Sequence, residues 1–279
     1  MRNGLANHLS SDQIAFFKKI IWEYFDEHGR TFSWRQTNNP YHIVISEVML
    51  QQTQTFRVAP KFEAFIAAFP NFKVLAAAPF SEILRYWKGL GYNRRALNLQ
   101  KLAQEVVQKF DGIVPNNPEI VDSFPGIGPA TAASICAFAY NNPTVFIETN
   151  IRAVYIHFFF HEKNKVHDNE IRPLVEITLD KENPRLWYYA LMDYGVMLKK
   201  LYKNPSRKSA HHVNQSKFEG SDRQIRGMIL QALLDTPVLS LSAIFEHINR
   251  ETARVEVILY ELCKEKLIEQ NNNCFSLKK

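Results

Sequence analysis

Apolar residues recur every three or four positions over most of residues 10–200, the period of helices with one buried face. Ser10-Ser11-Asp12 can cap a helix to about Glu27, with Ile14, Phe17, Ile20, Ile21 and Phe25 on its apolar side. Asn39-Pro40 opens a helix through about Val58, and Pro60 starts another. Pro79 precedes a helix around Ile83 to Trp87, and Asn93 to Phe110 carries leucine or valine at 97, 99, 102, 106 and 107. Asn117-Pro118 opens a short helix, Pro125-Gly126-Ile127-Gly128 breaks it, and Pro129 begins a helix to about Tyr140. Strand signal is negligible here, so an all-α core is expected.

The pattern changes at Lys199. From there to Arg226 the chain holds Lys199, Lys200, Lys203, Arg207, Lys208, Lys217, Arg223 and Arg226 with few apolar residues. It reads as a basic linker lying on a phosphate backbone, or as a solvated tether. Beyond it, helices are predicted over about Ser221 to Leu234, Leu239 to Asn249 and Glu251 to Lys266. Leu267-Ile268-Glu269-Gln270 and Cys274-Phe275-Ser276-Leu277 then form a hairpin around three asparagines. Three helices and a hairpin give a small winged-helix-like domain. The expected organisation is a helical core over 1–198, a basic linker over 199–220 and this domain over 221–279.

Composition narrows the classes. The 279 residues fit about two domains. The net charge of +6 favours an anionic partner. No apolar run is long enough to span a membrane, and Met1-Arg2-Asn3-Gly4 leads into polar residues without a signal-peptide core. Three cysteines, Cys136, Cys263 and Cys274, build neither a disulfide framework nor a CxxC zinc pair, so a reduced setting is expected.

Three segments carry chemistry. Glu47 lies within Ile43 to Leu50, a segment apolar nearly all round. A buried carboxylate there is either paired with an arginine such as Arg35, or is a general acid with a raised pKa. In Phe124-Pro125-Gly126-Ile127-Gly128, two glycines allow a tight turn, and the amides of the helix that follows can hold a phosphate. Glu148, after Val145-Phe146-Ile147, either caps the next helix or is a second carboxylate for glycosidic cleavage.

In order, Ser46-Glu47-Val48-Met49-Leu50-Gln51-Gln52-Thr53-Gln54, Gly89-Leu90-Gly91-Tyr92, the Phe124–Gly128 hairpin and Glu148-Thr149-Asn150 resemble the helix-hairpin-helix DNA glycosylases, above all the MutY-type adenine DNA glycosylases. The resemblance covers roughly Ser10 to Met197. It implies a two-lobed all-α core and a flipped-out target nucleotide held between the lobes. Glu47 then matches the general acid that protonates adenine N7 and helps activate water. Glu148 matches the carboxylate that stabilises the oxocarbenium-like sugar, where the family has Asp, and Asn150 matches an asparagine beside that sugar. Arg35 and Asp193 match positions around the base pocket. Gln52, Thr53, Leu90 and Tyr92 match residues that wedge the duplex or contact the opposing base. Gly126, Gly128, Ala130, Lys199 and Lys200 match contacts to the DNA backbone.

Family members usually carry four cysteines after the segment matching Asp193 to Met197, and Lys199 stands where the first would be. No iron–sulfur cluster and no metal is therefore expected, beyond a monovalent cation on hairpin carbonyls as in relatives. Bifunctional relatives place a Schiff-base lysine where this chain has Ala130, so no lyase activity is expected. The implied function is a monofunctional glycosylase removing adenine opposite 8-oxoguanine or guanine. Thymine or uracil opposite guanine and a non-catalytic lesion sensor are the alternatives. The partner is double-stranded DNA with a mismatched or damaged base, met by a monomer without a membrane, in the cytoplasm at the nucleoid or in a nucleus.

Overall fold

Ser10 starts the first helix as its sequence predicts. Its side chain accepts from the Gln13 amide at 3.2 Å and Gln13 accepts from the Ser10 amide at 2.9 Å, a reciprocal cap on α1 (Ser11–His28). The computed structural model describes residues 9–213 and 217–278, so Met1–Gly4 and positions 214–216 of the basic stretch lie outside the described residues. Helices α2 (Pro40–Leu50), α3 (Thr55–Ala68), α4 (Phe72–Ala77), α5 (Phe80–Trp87) and α6 (Arg94–Phe110) follow. Next come α7 (Pro118–Asp122), α8 (Pro129–Tyr140), α9 (Thr149–Phe159), α10 (Asp168–Thr178) and α11 (Pro184–Leu201).

One expected helix is two. The segment predicted to run from Pro40 to Val58 stops at Leu50, and Pro60 lies inside α3 rather than at its start. The physical reason is distant in sequence. The Arg95 guanidinium takes the carbonyls of Val48 at 2.8 Å, Met49 at 2.8 Å and Gln51 at 2.6 Å, so the end of α2 is capped by a side chain from α6. The basic stretch also begins differently, because Lys199 and Lys200 form the last turn of α11.

The described residues cluster into two compact units. The first draws on residues 9–44, Pro115–Ser123 and residues 127–213. In it α11 packs on α9, α1 and α8. Phe17, Ile21, Tyr155, Trp187 and Tyr188 are buried at its core.

The second unit draws on Ile45–Val114, Phe124–Gly126 and residues 217–278. Here α4 and α5 pack on α6, and α3 packs on α5. Phe62, Phe65, Trp87, Leu99 and Leu102 are buried. The C-terminal elements belong to the same unit: α12 (Asp222–Asp235), β1 (Val238–Ser240), α13 (Leu241–Ile248), α14 (Thr252–Lys264), β2 (Ile268–Asn271) and β3 (Cys274–Leu277). Arg85 on α5 donates to the Leu234 carbonyl at 3.3 Å, tying them to the helices ahead. The predicted hairpin is the β2–β3 pair, and β1, unpredicted, adds antiparallel on the other side of β3 in the order β1-β3-β2. Ile225, Ile229, Leu233, Val255, Leu259 and Phe275 form the small core beneath it. Each such side chain contributes about 1.5–3 kcal/mol on burial.

Candidate active site

Glu47 sits on α2 (Pro40–Leu50), a helix most of whose residues are buried. Ile43, Val44, Ile45, Ser46, Val48 and Met49 are buried, while Glu47 keeps partial exposure. It is therefore not the fully buried acid that the apolar pattern suggests. Arg35, one of the partners considered for it, directs both terminal nitrogens to Asp193, at 2.8 and 2.9 Å.

The turn after α2 and the Gly89–Tyr92 loop are joined by one side chain that sequence reasoning missed. Besides capping α2, Arg95 donates to the Thr53 hydroxyl at 3.0 Å and to the carbonyls of Leu90 and Gly91 at 3.2 Å each. Its guanidinium carbon lies 5.3 Å from the Trp87 ring centre and 5.6 Å from that of Tyr92. Burial lowers its pKa to about 10, so it is a cation at neutral pH. Gln52 and Tyr92 adopt left-handed backbone, with φ of 54° and 47°, a conformation costly outside glycine. Gln52 is exposed, and Thr53 and Tyr92 are partly so. Leu90, expected to wedge the duplex or contact the opposing base, is only 4% exposed.

The hairpin follows α7, whose Asn117 cap accepts from the Glu119 amide with Pro118 at the first position. Gly126 has φ of 80°, and a Cβ there would stand 2.9 Å from the Asn98 side chain, so both backbone freedom and space require glycine. The Gly126 carbonyl accepts from Gln51 Nε2 at 3.2 Å. Gly128 is the N-cap of α8, and Ala130 is exposed in its first turn. That turn offers unpaired helix amides of the kind that hold phosphates.

In the first unit, Glu148 is the N-cap of α9, as one reading of the sequence had it. Oε1 accepts from the amides of Asn150 at 2.7 Å and Ile151 at 2.8 Å, and Oε2 from Asn150 Nδ2 at 3.1 Å. Asn150 is fixed from its other end, because Lys199 Nζ donates to Asn150 Oδ1 at 2.8 Å. Lys199 thus stands against the candidate catalytic groups rather than in a tether. Desolvation lowers its pKa, and the nearby Glu148 charge partly restores it. Lys200, beside it, is exposed. The close approach of α11 to this turn depends on Gly195, where a Cβ would sit 2.4 Å from the Asn150 carbonyl oxygen.

Asp193 is saturated. Its carboxylate, 1% exposed, accepts from the Arg30 amide and Nε as well as from Arg35. Arg35 also lies over the Tyr189 ring at 4.4 Å. Arg35 and Asp193, expected around the base pocket, thus form an ion network with Arg30 that fixes the 3-10 turn Ser33–Arg35 to α11.

Residues 45–177 match the family model described as HhH-GPD superfamily base excision DNA repair protein. An adenine DNA glycosylase of Mycolicibacterium smegmatis is 30% identical over 239 residues, 78% of this chain and 81% of the relative. The chain belongs to the HhH-GPD superfamily. An adenine DNA glycosylase of Buchnera aphidicola subsp. Baizongia pistaciae is 35% identical over 186 residues, 66% of this chain and 53% of the relative. The chain thus spans about half the length of that relative. Among solved structures, a thermostable thymine-DNA glycosylase superposes with a TM-score of 0.62 at 26% identity, covering 70% of this chain and 91% of that one.

The iron–sulfur cluster that the HhH-GPD resemblance raises does not fit the residues present. Lys199 is engaged with Asn150 where a first thiolate would stand. Cys136 is buried within α8 and the other two cysteines lie in the C-terminal elements. Among the described residues, no three His, Cys, Asp or Glu side chains converge as a metal site.

Proposed function

We propose that this HhH-GPD chain is a monofunctional DNA N-glycosylase that removes adenine opposite 8-oxoguanine or guanine from duplex DNA, as a monomer and without a cluster. In this reading a glycosylase core over 1–198 is followed by a basic stretch over 199–220 and a winged-helix-like domain over 221–279. The observation that carries the reading is Glu148. It is a carboxylate fixed by three N–H donors at a helix N-terminus, where negative charge is favoured and where a cationic sugar can be stabilised. Glu47 supplies the proton that turns the base into a leaving group, and afterwards takes one from water. Asn150 orients Glu148, and Lys199 orients Asn150. The α8 amides and Lys200 hold phosphates.

The test uses duplexes that each carry one mismatch, incubated with the protein and then treated with hot alkali. Breakage of the adenine strand opposite 8-oxoguanine or guanine supports the reading. Glu47→Gln abolishes base release while binding stays within a few-fold. Glu148→Gln loses most activity, and Glu148→Asp, a strong N-cap with the same charge, keeps it. The likeness to a thymine-DNA glycosylase favours a second reading, which breakage of the thymine strand opposite guanine would select. No strand breakage on any mismatch would leave the sensor reading.

A further inference from the structure

Four cations meet at a seam of the second unit, where the C-terminal elements join α6. Arg94 and Lys101 lie about two turns apart on one face of α6, about 10 Å along its axis. Lys266 follows α14 in left-handed backbone, with φ of 62°, and Lys278 follows β3. The Lys278 amide donates to the Leu267 carbonyl at 3.2 Å, which holds the two C-terminal lysines side by side. Arg94, Asn98 one turn on, and Glu265 beside Lys266 line one cleft, so the α6 face and the α14–β2 turn stand together.

The charges at this seam have one sign. Partial burial lowers the Lys101 pKa, and the charges of Lys278, Lys266 and Arg94 lower it further. Two acids on the same elements are engaged elsewhere: Glu265 pairs with Arg226, and Glu105, one turn on from Lys101, pairs with Lys109 at 2.6 Å. Cations crowded at a folded seam repel one another, and a bound anion relieves that repulsion. The outward face of α14, the helix that a helix-turn-helix arrangement would lay in a DNA groove, is unsuited to that role. It presents Val257 and Tyr260, 58% and 70% exposed, beside the acids Glu256 and Glu261. Arg254 on α14 is already spent on Asp222 at 2.6 Å and the Gly220 carbonyl at 2.9 Å.

We infer that Arg94, Lys101, Lys266 and Lys278 form a phosphate-binding seam that takes the backbone of a DNA strand, so that the winged-helix-like segment meets DNA through its α14–β2 turn and the end of β3 rather than through α14. The row on α6 has the reach of about three phosphates, which advance about 3.4 Å each along a strand. Contacts of this kind position a duplex and read neither sequence nor lesion. The choice of DNA over a free polyphosphate rests on the glycosylase reading.

The full chain is titrated by fluorescence anisotropy with an undamaged duplex over a range of salt concentrations. The double variant Lys266→Gln with Lys278→Gln should bind more weakly and flatten the slope of log K against log salt by about 1.8, two phosphates at about 0.9 each. Lys101→Gln should flatten it by about 0.9. Melting temperatures of these variants should hold or rise, because each removes a repelled cation, whereas a merely structural role would lower them. Arg250→Gln with Lys264→Gln removes the same charge from the turn before α14 and from α14 itself, and should leave the slope unchanged. Inorganic tripolyphosphate should displace the duplex only well above equal phosphate concentration, and displacement at equal concentration overturns the choice of DNA. A slope unchanged in the Lys266 and Lys278 double variant overturns the inference, even where base release from a mismatched duplex proceeds. Flattening by the Arg250 and Lys264 variant alone overturns it in favour of α14. A flattened slope in the seam variants of a protein that releases no base refutes the catalytic reading and leaves the seam standing.

Discussion

Gly195→Ala separates positioning from stability at the candidate active site. The added Cβ would meet the Asn150 carbonyl oxygen at 2.4 Å and the Asn150 Cβ at 2.8 Å. Carbon–oxygen contacts normally begin at about 3.3 Å, so the first turn of α9 must move by about 0.9 Å, or α9 and α11 must part by as much. Forcing a methyl into a packed site costs about 1–3 kcal/mol. Alanine in a helix returns about 0.8–1 kcal/mol relative to glycine. The net loss is about 0–2 kcal/mol, a fall in melting temperature of at most about 8 °C. Glu148 and Asn150 ride on the displaced turn, however, and a shift near 1 Å in a positioned group costs up to about 100-fold in rate. Single-turnover base release should thus fall by about 10- to 100-fold while the protein stays folded. Gly227→Ala on α12, where a Cβ meets nothing within 4 Å, calibrates the helix contribution and should stabilise. If Gly195→Ala stabilises as Gly227→Ala does and releases base at the wild-type rate, the close approach does not hold the site.

Three other outcomes follow from the same geometry. Arg95→Leu strands carbonyls at the end of α2 and in the Gly89–Tyr92 loop, so urea unfolding should show a loss of about 3 kcal/mol or more, and Arg95→Lys should not restore it because three donors cannot serve six acceptors; an unchanged midpoint would sink this. For Lys199, whose pKa is lowered by burial, the unfolded chain holds more protons between the folded value and the ordinary lysine value, so this group makes stability rise with pH across that alkaline window. Lys199→Met should remove that rise, and identical alkaline slopes in both proteins would refute the assignment. Charge reversal at Lys200, Lys203, Arg207 and Lys208 should weaken all duplexes alike and flatten the salt dependence by about 0.9 for each phosphate no longer neutralised, without changing which mismatch is cut; an unchanged slope makes the stretch a tether.

What was legible in the sequence was local. Ser10, Asn117, Ser221 and Ser240 cap helices within a few residues of where their types predict, because a cap needs only a side-chain oxygen and an amide two or three positions on. Glu148 was legible for the same reason. The break at Gln51–Gln54 was not, since the Gln-Gln-Thr-Gln run holds no proline or glycine to stop a helix and the group that ends α2 comes from α6. Leu90 was expected at the duplex from the resemblance alone, and a motif does not display the folded neighbours that leave it 4% exposed. The Asp193 network was not legible. Asp193 was placed around the base pocket by the resemblance, and only three-dimensional neighbours reveal two arginines closing on it. Strand β1 is three residues long, too short to show a period of its own.

The segment after α11 shows how a part can be held without the ligation that the resemblance would supply. It turns back through the 3-10 turn Pro205–Lys208, whose Pro205 and Ser206 are buried and which packs on α9. Val166 then clamps it from both sides: its amide donates to the Lys208 carbonyl at 2.9 Å, and its carbonyl accepts from Ala210 at 2.8 Å. Lys208 Nζ adds a bond to the His161 carbonyl, and Asn204 caps the turn through the Ser206 amide at 3.0 Å. At about 1 kcal/mol per net hydrogen bond, this set contributes a few kcal/mol, enough to order a short return without metal. Four thiolates are needed for a cluster and the sequence carries three cysteines. The purified protein should therefore be colourless, and its melting temperature should not move on treatment with a chelator and ferricyanide. Iron near four atoms per chain, or a chelator-dependent loss of this segment's amide protection, would show that ligation and not hydrogen bonding holds it.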